Sequence, residues 1–395
     1  MNDFSYFTPT KVVFGKKTET ETGKLVKAFG GTRVLVHFGG KSAQKTGLLD
    51  RVCKSLAQSG IFYVKLGGVV PNPRLSLVRT GIELCKKEKI DFILAVGGGS
   101  VIDSGKAIAY GAATAGDVWD IYLKKTEPTA CLPIGTVLTI AAAGSEMSDS
   151  SVITNEEGMI KRGYSNDLCR CRFAVMNPEL TETLPDYQTM CGCTDIIMHT
   201  LERWFGKDGT YSELTDSLAE GLLKTVMHNA CILKENPLDY TARAEIMWAG
   251  SLSHNGLTGC GNGAGDWATH QMGHEITSLF GTPHGASLAA VWASWARYVY
   301  KEHEDRFAKL AEDVMGILPE HDETLEETAL EGISAMEEFF REIGMPTTLH
   351  EISADMADTQ IQELAEKCTF RQTRTIGQFK TLNFEDIKKI YKAAY

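Results

Sequence analysis

The histidines of this chain are concentrated in one short segment. His270 and His274 are four residues apart in a stretch of helical periodicity, and His284 follows a Gly-Thr-Pro turn at the start of the next such stretch. Asp195 and His199 repeat the four-residue spacing earlier in the chain. Residues spaced i, i+4 project from one face of a helix, one turn apart. One carboxylate and up to four imidazoles on neighbouring helices therefore form a candidate metal site.

The donor atoms of this group indicate which metals it would bind. Oxygen and nitrogen ligands together suit Fe²⁺, Zn²⁺, Mn²⁺ or Co²⁺ rather than Ca²⁺. Spacing alone leaves open whether His270 or His274 is the ligand on the second helix. For an isolated histidine, an ordinary hydrogen-bonded side chain is the better interpretation. We favour that interpretation for His228, His254, His303, His321 and His350.

The ten cysteines include two Cys-x-Cys pairs and no Cys-x-x-Cys pair. This spacing is tighter than that of most structural zinc sites. Buried free thiols are therefore favoured over a zinc site formed by Cys169, Cys171, Cys191 and Cys193.

A glycine-rich loop follows an apolar run in the first half of the chain. Residues 92–96 are apolar, Gly-Gly-Gly-Ser follows at 97–100, and a helical stretch begins at Val101. Glycines permit positive φ and close backbone approach, and free N–H groups at a helix N-terminus bind anions. The loop can therefore hold a pyrophosphate, although its spacing matches neither Gly-x-Gly-x-x-Gly nor the P-loop. The alternative is a tight turn between a strand and a helix.

The segment after the first strand of this half bears on which dinucleotide would bind. Dinucleotide-binding folds commonly place a carboxylate there to hold the adenosine ribose. Here Gly39, Gly40, Lys41 and Ser42 are followed by no acidic residue before Asp50. Because lysine and hydroxyl groups can attract a 2′-phosphate, we expect NADP(H) to be preferred over NAD(H). The alternative is that these residues form a solvated turn.

A metal and a nicotinamide together indicate hydride transfer. A divalent metal is a Lewis acid that lowers the pKa of an alcohol or polarises a carbonyl group, and the nicotinamide carries the hydride. The glycine loop and the histidine helices fall in different halves of the chain. We therefore expect a nucleotide on one domain to face a metal on the other.

The elements that would position these residues change character near the middle of the chain. In the first half, a strand-like run, a glycine turn and a helical stretch occur in succession three times, which predicts a parallel sheet covered by helices. Further strand candidates are residues 131–136, 151–155 and 172–178. We expect a Rossmann-like α/β domain over residues 1–185 and an all-helical domain over residues 186–395.

The helical periodicity of the second domain divides into nine stretches. The predicted helices are residues 186–206, 211–233, 240–258, 264–280, 284–301, 303–315, 324–343, 358–367 and 384–393.

Length and charge favour a two-domain protein that acts on a small molecule. The chain has 395 residues, a formal net charge of −11 and a pI near 5.5. An acidic protein of this kind lacks the basic face that binds nucleic acid or an anionic membrane. The first residues show no basic leader before an apolar run, and no window reaches roughly 18 consecutive apolar residues. We therefore expect a cytosolic protein without a spanning helix.

Several motifs occur along the chain in a characteristic order. They include AVGGGSVIDSGKAIA, NPELTETLP, CTDIIMHTLE and DWATHQMGHEITSLFGTPHG, and together with shorter motifs they extend over essentially the whole chain. In this the chain resembles the iron-containing alcohol dehydrogenase family, and within it the NADPH-dependent butanol dehydrogenase branch. The resemblance implies an α/β domain followed by a helical domain, the architecture of dehydroquinate synthase. It also implies a divalent metal, with Fe²⁺ ahead of Zn²⁺, a small primary alcohol or aldehyde as substrate, and a homodimer.

The resemblance further assigns roles to individual residues. The family's four metal ligands correspond to Asp195, His199, His270 and His284. His274 corresponds to a family histidine that lies near the nicotinamide and the metal without being a regular ligand, which implies proton relay or substrate positioning. With the loop analysis, the predicted cofactor-binding residues are Gly39, Gly40, Lys41, Ser42, Asn72, Gly97, Gly98, Gly99, Ser100, Asp103, Thr139 and Lys161.

The chain departs from the family pattern at two positions. Ala143 stands where threonine is common, which removes a hydroxyl contact to the cofactor, and Ser148 stands where asparagine is frequent in the branch.

Three alternative functions are a lyase of the dehydroquinate synthase type, a polyol dehydrogenase such as glycerol dehydrogenase, and a non-catalytic binding protein. The lyase needs a strongly cationic pocket for a substrate phosphate, whereas the metal helices carry mainly neutral and apolar neighbours. The motifs also fit the butanol branch better than the polyol dehydrogenases.

Overall fold

The structure is a computed structural model that describes residues 1–40 and 42–395, apart from the side chain of Asp208. The chain divides into an α/β unit, residues 7–183, and a helical unit, residues 1–6 together with 184–395. The N-terminal residues group with the helical unit, where the Asn2 N–H donates to the Gly261 carbonyl at 2.9 Å. The first domain predicted from the sequence includes these residues, because so short a segment carries no periodic signal of a long-range contact.

The α/β unit is built on strands whose central members are continuous apolar runs, as expected where both faces of a sheet are covered. Its strands are β1 (Lys11–Phe14), β2 (Arg33–Phe38), β3 (Phe62–Leu66), β4 (Phe92–Gly97), β5 (Ile134–Leu138), β6 (Ser150–Asn155), β7 (Ile160–Ser165) and β8 (Phe173–Met176). Its helices are α1 (Thr22–Ala28), α2 (Ser42–Lys45), α3 (Leu48–Gln58), α4 (Leu75–Glu88), α5 (Gly99–Ala113) and α6 (Val118–Tyr122).

Six of the strands form one parallel sheet in the order β1-β8-β5-β4-β2-β3, which confirms the predicted parallel α/β fold. β6 and β7 pair separately as an antiparallel hairpin. The sequence indicated β6 as a strand but not its partner β7, whose sequence IKRGYS is mostly polar. One core cluster lies against the sheet, where Val52 and Leu56 of α3 pack with residues such as Val34 and Phe92.

The helical unit is built mainly from α-helices. They are α7 (Asp186–Trp204), α8 (Glu213–Glu235), α9 (Tyr240–His254), α10 (Ala268–Phe280), α11 (His284–Val299), α12 (Glu304–Lys309), α13 (Leu325–Glu342), α14 (Leu349–Ile352), α15 (Asp358–Cys368) and α16 (Phe384–Ala394). A short π-helix, Leu310–Val314, continues α12. Within the described part of the chain, no helix combines the length and the apolar character that a bilayer span requires.

Two predicted helix ends differ from the structure by four residues, and glycine-rich segments explain both. α9 ends at His254 rather than 258, because Gly256 adopts a φ of 99°. α10 begins at Ala268 rather than 264, because Gly265 and Trp267 have φ values of 78° and 63°. Left-handed backbone at these residues cannot continue a right-handed helix.

Candidate functional site

Three helices carry the predicted metal ligands. Asp195 and His199 lie on α7, His270 lies on α10, and His284 is the first residue of α11. Oδ1 of Asp195 and Nδ1 of His199 are 3.5 Å apart. The i, i+4 spacing thus places these two side chains next to each other on one face of α7.

The turn between α10 and α11 brings His284 back towards α10. Gly281 ends α10 with a φ of 69°, and Pro283 has extended backbone immediately before α11. A glycine in this conformation ends a helix and lets the chain change direction. The rings of His270 and His284 consequently lie with their centroids 5.4 Å apart.

Oδ1 of Asp195 is the atom on which the site converges. Nε2 of His270 and Nε2 of His284 each lie 3.7 Å from it. Donor atoms about 2.1 Å from one ion in a tetrahedral arrangement lie roughly 3.4 Å from one another. The observed separations are close to this value. The three imidazoles therefore lie from this carboxylate at the spacing expected of ligands to a small divalent cation. Among the described residues, the ligand atoms of Asp195, His199 and His270 also lie within 4.8 Å of one another, a group that does not include His284.

Three of the predicted ligand atoms are buried without a hydrogen-bond partner among the described residues. Oδ1 of Asp195, Nδ1 of His199 and Nε2 of His270 are buried, and among the described residues they have no hydrogen-bond partner. A buried polar atom without a partner costs roughly 1–3 kcal/mol. A cation bound between them would satisfy all three, and their donor types suit Fe²⁺, Zn²⁺, Mn²⁺ or Co²⁺.

The pKa shifts of Asp195 and His199 favour the protonation states that bind a metal, whereas for His270 burial lowers the pKa but the hydrogen bonds and charges of Asp195 and Glu202 outweigh burial and raise it. Burial alone would raise the pKa of the Asp195 carboxyl group, but the imidazoles of His199, His284 and His270 outweigh burial and hold it well below its usual range. Burial, and next the neighbouring His254, hold the pKa of His199 well below its usual value. An ionised carboxylate and a neutral imidazole are the forms that coordinate metals.

His274 lies one turn beyond His270 and packs against His284. The rings of His274 and His284 are stacked, with centroids 5.0 Å apart. The His274 side chain is partly exposed. The helical unit thus holds a further imidazole, accessible from outside, next to a predicted ligand.

Several of the predicted cofactor residues of the α/β unit lie at the carboxyl edge of its sheet. β3 lies on one side of β2 and β4 on the other, so the strand order reverses between β2 and β4. Ligands of open parallel sheets bind beyond the carboxyl ends of the strands at such a reversal. Phe38 and Val96 are register partners in these two strands. The segment starting at Gly39 and the loop starting at Gly97 are therefore neighbours.

Other predicted cofactor residues follow different strands at this edge. The Thr139 N–H, just beyond β5, donates to the Gly97 carbonyl at 3.1 Å. Ser42 is the first residue of α2, and Asn72 lies beyond β3 with a φ of 57°. Lys161 lies on β7 of the separate hairpin. The prediction for Lys41 falls outside the described residues.

Close packing accounts for the three glycines that precede Ser100. A Cβ on Gly97 would lie 2.5 Å from Val101, one on Gly98 would lie 2.9 Å from Ile140, and one on Gly99 would meet a neighbouring side chain at 3.0 Å. These three glycines have no positive φ. The loop therefore needs glycine for close approach and not, as the sequence also allowed, for left-handed backbone.

Asp103, another predicted cofactor residue, is held by the protein itself. Its Oδ1 accepts from the Ser145 hydroxyl at 2.5 Å, and its Oδ2 accepts from the Val152 N–H at 2.9 Å. Burial raises the pKa of this carboxyl group, against the opposing effect of Lys106. These contacts fasten the segment 145–152 to α5.

Comparison with known proteins assigns this combination of a parallel sheet and a helical metal site to a family. Residues 9–178 match the family model described as iron-containing alcohol dehydrogenase, and residues 189–395 match that of the Fe-containing alcohol dehydrogenase family, C-terminal. The chain belongs to the iron-containing alcohol dehydrogenase family. It is therefore an oxidoreductase, and the predicted family and enzyme class are confirmed.

Relatives of this iron-containing alcohol dehydrogenase match it over their full length. It is 40% identical to the probable NADH-dependent butanol dehydrogenase 1 of Bacillus subtilis (strain 168) and 33% identical to the NADPH-dependent aldehyde reductase YqhD of Escherichia coli (strain K12), with 100% of each chain covered. The crystal structure of NADH-dependent butanol dehydrogenase A from Thermotoga maritima superposes with a TM-score of 0.95 at 37% identity, covering 100% of this chain and 99% of that chain. The names of these relatives divide between NADH and NADPH.

A carboxylate next to the predicted metal site of this dehydrogenase was not predicted from the sequence. Glu202 is buried on α7, and its Oε1 accepts hydrogen bonds from the backbone N–H of His270 at 2.8 Å and from Nδ1 of His270 at 3.0 Å. Glu202 and Asp195 are seven residues apart on α7, a spacing that keeps two side chains on nearly the same face of a helix. That signal was available in the sequence.

Three further side chains lie close to the predicted metal ligand His199. The ring of His254, interpreted above as an ordinary hydrogen-bonded histidine, lies with its centroid 4.1 Å from that of His199, and its Nδ1 accepts from Nη2 of Arg203 at 3.1 Å. The Arg203 guanidinium lies over the ring of Trp267 at 4.5 Å. The Trp267 ring also contacts His270 edge-on, with centroids 5.3 Å apart. These residues pack the imidazoles in place.

All ten cysteines are free thiols. Cys169 and Cys171 belong to the α/β unit, whereas Cys191 and Cys193 belong to the helical unit. Burial raises the pKa values of Cys171, Cys191 and Cys193 to about 12. Buried free thiols, the favoured interpretation, therefore describe the four cysteines of the Cys-x-Cys pairs, whereas Cys131, Cys231 and Cys260 are half-buried free thiols.

Proposed function

We propose that this protein transfers a hydride between NADP(H) and a small primary alcohol or aldehyde, with butanol and butanal as the expected pair. The observation that carries the proposal is the convergence of buried, unpartnered donor atoms of Asp195, His199 and His270 on one point. Full-length similarity to proteins named butanol dehydrogenase and aldehyde reductase supports the substrate class.

The proposed metal ligands are Asp195, His199, His270 and His284, with Fe²⁺ as the expected ion and Zn²⁺ as the next candidate. A bound divalent metal supplies Lewis-acid chemistry, which stabilises an alkoxide or polarises a carbonyl group. The protein keeps Asp195 ionised through the surrounding imidazoles. It also excludes water from three of the ligands, since Asp195, His199 and His270 are at most 5% exposed.

His274 is the proposed catalytic residue. Its partly exposed ring stacks on that of His284 at 5.0 Å, so it lies beside the metal ligands and is reachable by a substrate. An imidazole can hold or release a proton near neutral pH. We assign it proton relay to the alcohol oxygen or positioning of the substrate.

The proposed cofactor site is the carboxyl edge of the sheet in the α/β unit. The loop Gly97–Ser100 ends at the first turn of α5, whose N-terminus favours a pyrophosphate. Gly39, Gly40 and Ser42 follow the neighbouring strand, and Thr139 follows β5. A bound nicotinamide cofactor carries the hydride. Asn72, Asp103, Lys161 and Lys41 remain predicted contacts of this cofactor.

A preference for NADP(H) is the finer part of the proposal. It is supported by residues 39–49, which contain two lysines and no carboxylate. In a Ser42→Asp variant, the new carboxylate should repel a 2′-phosphate and lower kcat/KM for NADPH about tenfold or more relative to NADH. Gln58→Glu is the control, because it adds the same charge at the last residue of α3, at the opposite end of that helix from the predicted cofactor segment. It should leave the ratio of the two kcat/KM values unchanged. Equal use of both cofactors by the unmodified protein would contradict the preference.

The proposed activity is tested with protein purified without oxygen and supplied with Fe²⁺ or, separately, Zn²⁺. We expect the protein to reduce butanal while it oxidises NADPH, and the loss of NADPH absorbance measures this reaction. In the reverse direction, it should oxidise butanol while it reduces NADP⁺. Absence of turnover with every short aldehyde, with either metal and either cofactor, would refute the proposed function. The homodimer implied by the family resemblance and the cytosolic location expected from the sequence stay predictions, and sedimentation analysis can check the first.

A further inference from the structure

Glu202 makes two contacts with the same histidine. One oxygen, Oε1, accepts from both the backbone N–H and the ring Nδ1 of His270, at 2.8 and 3.0 Å. The two residues are 68 positions apart in sequence and are both buried. Holding a side chain at its backbone and at its ring fixes the torsions between them. The orientation of the His270 ring is therefore set from α7.

The same contact determines which ring nitrogen carries the proton. An ionised carboxylate can only accept hydrogen bonds, so Nδ1 of His270 must be the donor. In a neutral imidazole Nε2 is then left with its lone pair. Nε2 is the nitrogen that lies 3.7 Å from Oδ1 of Asp195, on the side where the donor atoms converge.

We propose that Glu202 is a positioning residue of the metal site, which fixes the ring orientation and the tautomer of His270 so that Nε2 coordinates the metal. The inference rests on the proposed function, in which His270 is a ligand. Carboxylates that accept from the second nitrogen of a metal-bound histidine raise its basicity and hold its geometry. Glu202 does not touch the substrate or the reacting atoms in this account.

A purely structural role is the competing explanation. His270 is the third residue of α10, and its N–H is one of those that a helix leaves without an intrahelical partner. Glu202 would then act as a helix cap, and its loss would lower the stability of the protein without changing metal affinity. Metal affinity and the metal's spectrum distinguish the two roles.

The test compares Glu202→Leu with Glu202→Gln in the full-length protein. Both replacements are uncharged and similar in size to glutamate, but glutamine keeps an oxygen that can accept from His270. Asp186→Asn removes a carboxylate from an exposed position on the same helix and is the matched control. The probe is Co²⁺, whose dissociation constant is measured by chelator competition and whose absorption spectrum reports ligand geometry. Unfolding with excess chelator checks that each variant folds.

We expect Glu202→Leu to weaken Co²⁺ binding by roughly 10- to 100-fold and to change the Co²⁺ spectrum, with a smaller loss in Glu202→Gln. Asp186→Asn should bind Co²⁺ like the unmodified protein. Unchanged affinity and spectrum in Glu202→Leu, with or without a loss of stability, would overturn the inference. A His270→Ala arm separates the two proposals. If His270→Ala loses the metal and Glu202→Leu does not, the positioning role alone fails, whereas full binding by His270→Ala refutes the ligand assignment itself.

Discussion

The two units of the molecule differ in whether the ring nitrogens of their buried histidines have hydrogen-bond partners. In the α/β unit, Nδ1 of His37 donates to the Leu66 carbonyl at 2.9 Å, and Nε2 accepts from the Ser104 hydroxyl at 2.8 Å. In the helical unit, Nδ1 of His199 and Nε2 of His270 have no hydrogen-bond partner among the described residues. Burial therefore does not mark a functional histidine. What marks it is an unpartnered nitrogen that converges with others on one point.

The acid–base properties of His37 fit its structural role. Burial lowers its pKa from 6.5 to about 4, against the opposing effect of the Leu66 carbonyl. The ring is therefore neutral near pH 7 and joins β2, β3 and α5 through hydrogen bonds alone. A histidine with both nitrogens engaged has no lone pair left for a metal.

The largest expected effect comes from removing a predicted metal ligand of the helical unit. Replacing Asp195 by alanine removes the oxygen on which three imidazoles converge, so the metal should be lost. Losing several kcal/mol of transition-state stabilisation lowers kcat by about 10³-fold or more. The reduction of butanal should be measured with metal in excess, and Asp186→Ala serves as control on the same helix. Turnover in Asp195→Ala within tenfold of normal would contradict the assignment.

The second expected effect is the pH dependence of the stability that the buried His37 contributes to the α/β unit. Because the folded pKa of His37 is below its ordinary value, the unfolded chain binds the proton between pH 6.5 and about 4. His37 therefore contributes stability that is present above pH 6.5 and is lost as the pH falls towards 4, by roughly 3 kcal/mol.

Urea unfolding across this pH range measures the contribution of His37. The difference in unfolding free energy between the unmodified protein and His37→Leu should be about 3 kcal/mol larger at pH 7 than at pH 4. A pH-independent difference would show that His37 is not held neutral by the fold.

The smallest effect concerns the glycines at the sheet edge. A Cβ on Gly40 would meet no described atom within 4 Å, so Gly40→Ala should leave stability unchanged. If the cofactor lies against this glycine, its KM should rise about tenfold, because a methyl group would occupy its place. Gly221 on α8 is equally open. Gly221→Ala should therefore raise stability by about 0.5–1 kcal/mol and leave the cofactor KM unchanged. An unaltered KM in Gly40→Ala would remove Gly40 from the cofactor site.

Local spacing predicted the features of the site that depend on one element. The pair Asp195 and His199, the pair His270 and His274, and the strand-loop-helix around Gly98 all follow from the period of a helix or the order of strand and turn. The parallel sheet was predictable for the same reason. Spacing could not decide between His270 and His274, since both lie on one face of α10, and the resemblance to a family made that choice.

Features that depend on contacts distant in sequence were not predicted. The bonds from Glu202 to His270 join α7 to α10, and helical periodicity carries no signal of which neighbour a side chain meets. The start of α10 was placed too early because Trp267 takes a left-handed conformation, which few residues other than glycine adopt. The wider surroundings of His199, including His254, arise in the same way from packing between helices.

The most direct test of the account is the metal content of protein purified without oxygen. Elemental analysis should find about one Fe²⁺ or Zn²⁺ per chain in the unmodified protein and in His37→Leu, and almost none in Asp195→Ala or His270→Ala. Adding the metal to about 1,000 times its dissociation constant should stabilise the first two proteins by roughly 4 kcal/mol and the last two not at all. Equal metal content in all four proteins would contradict the central claim that the convergent, unpartnered atoms of the helical unit form the metal site.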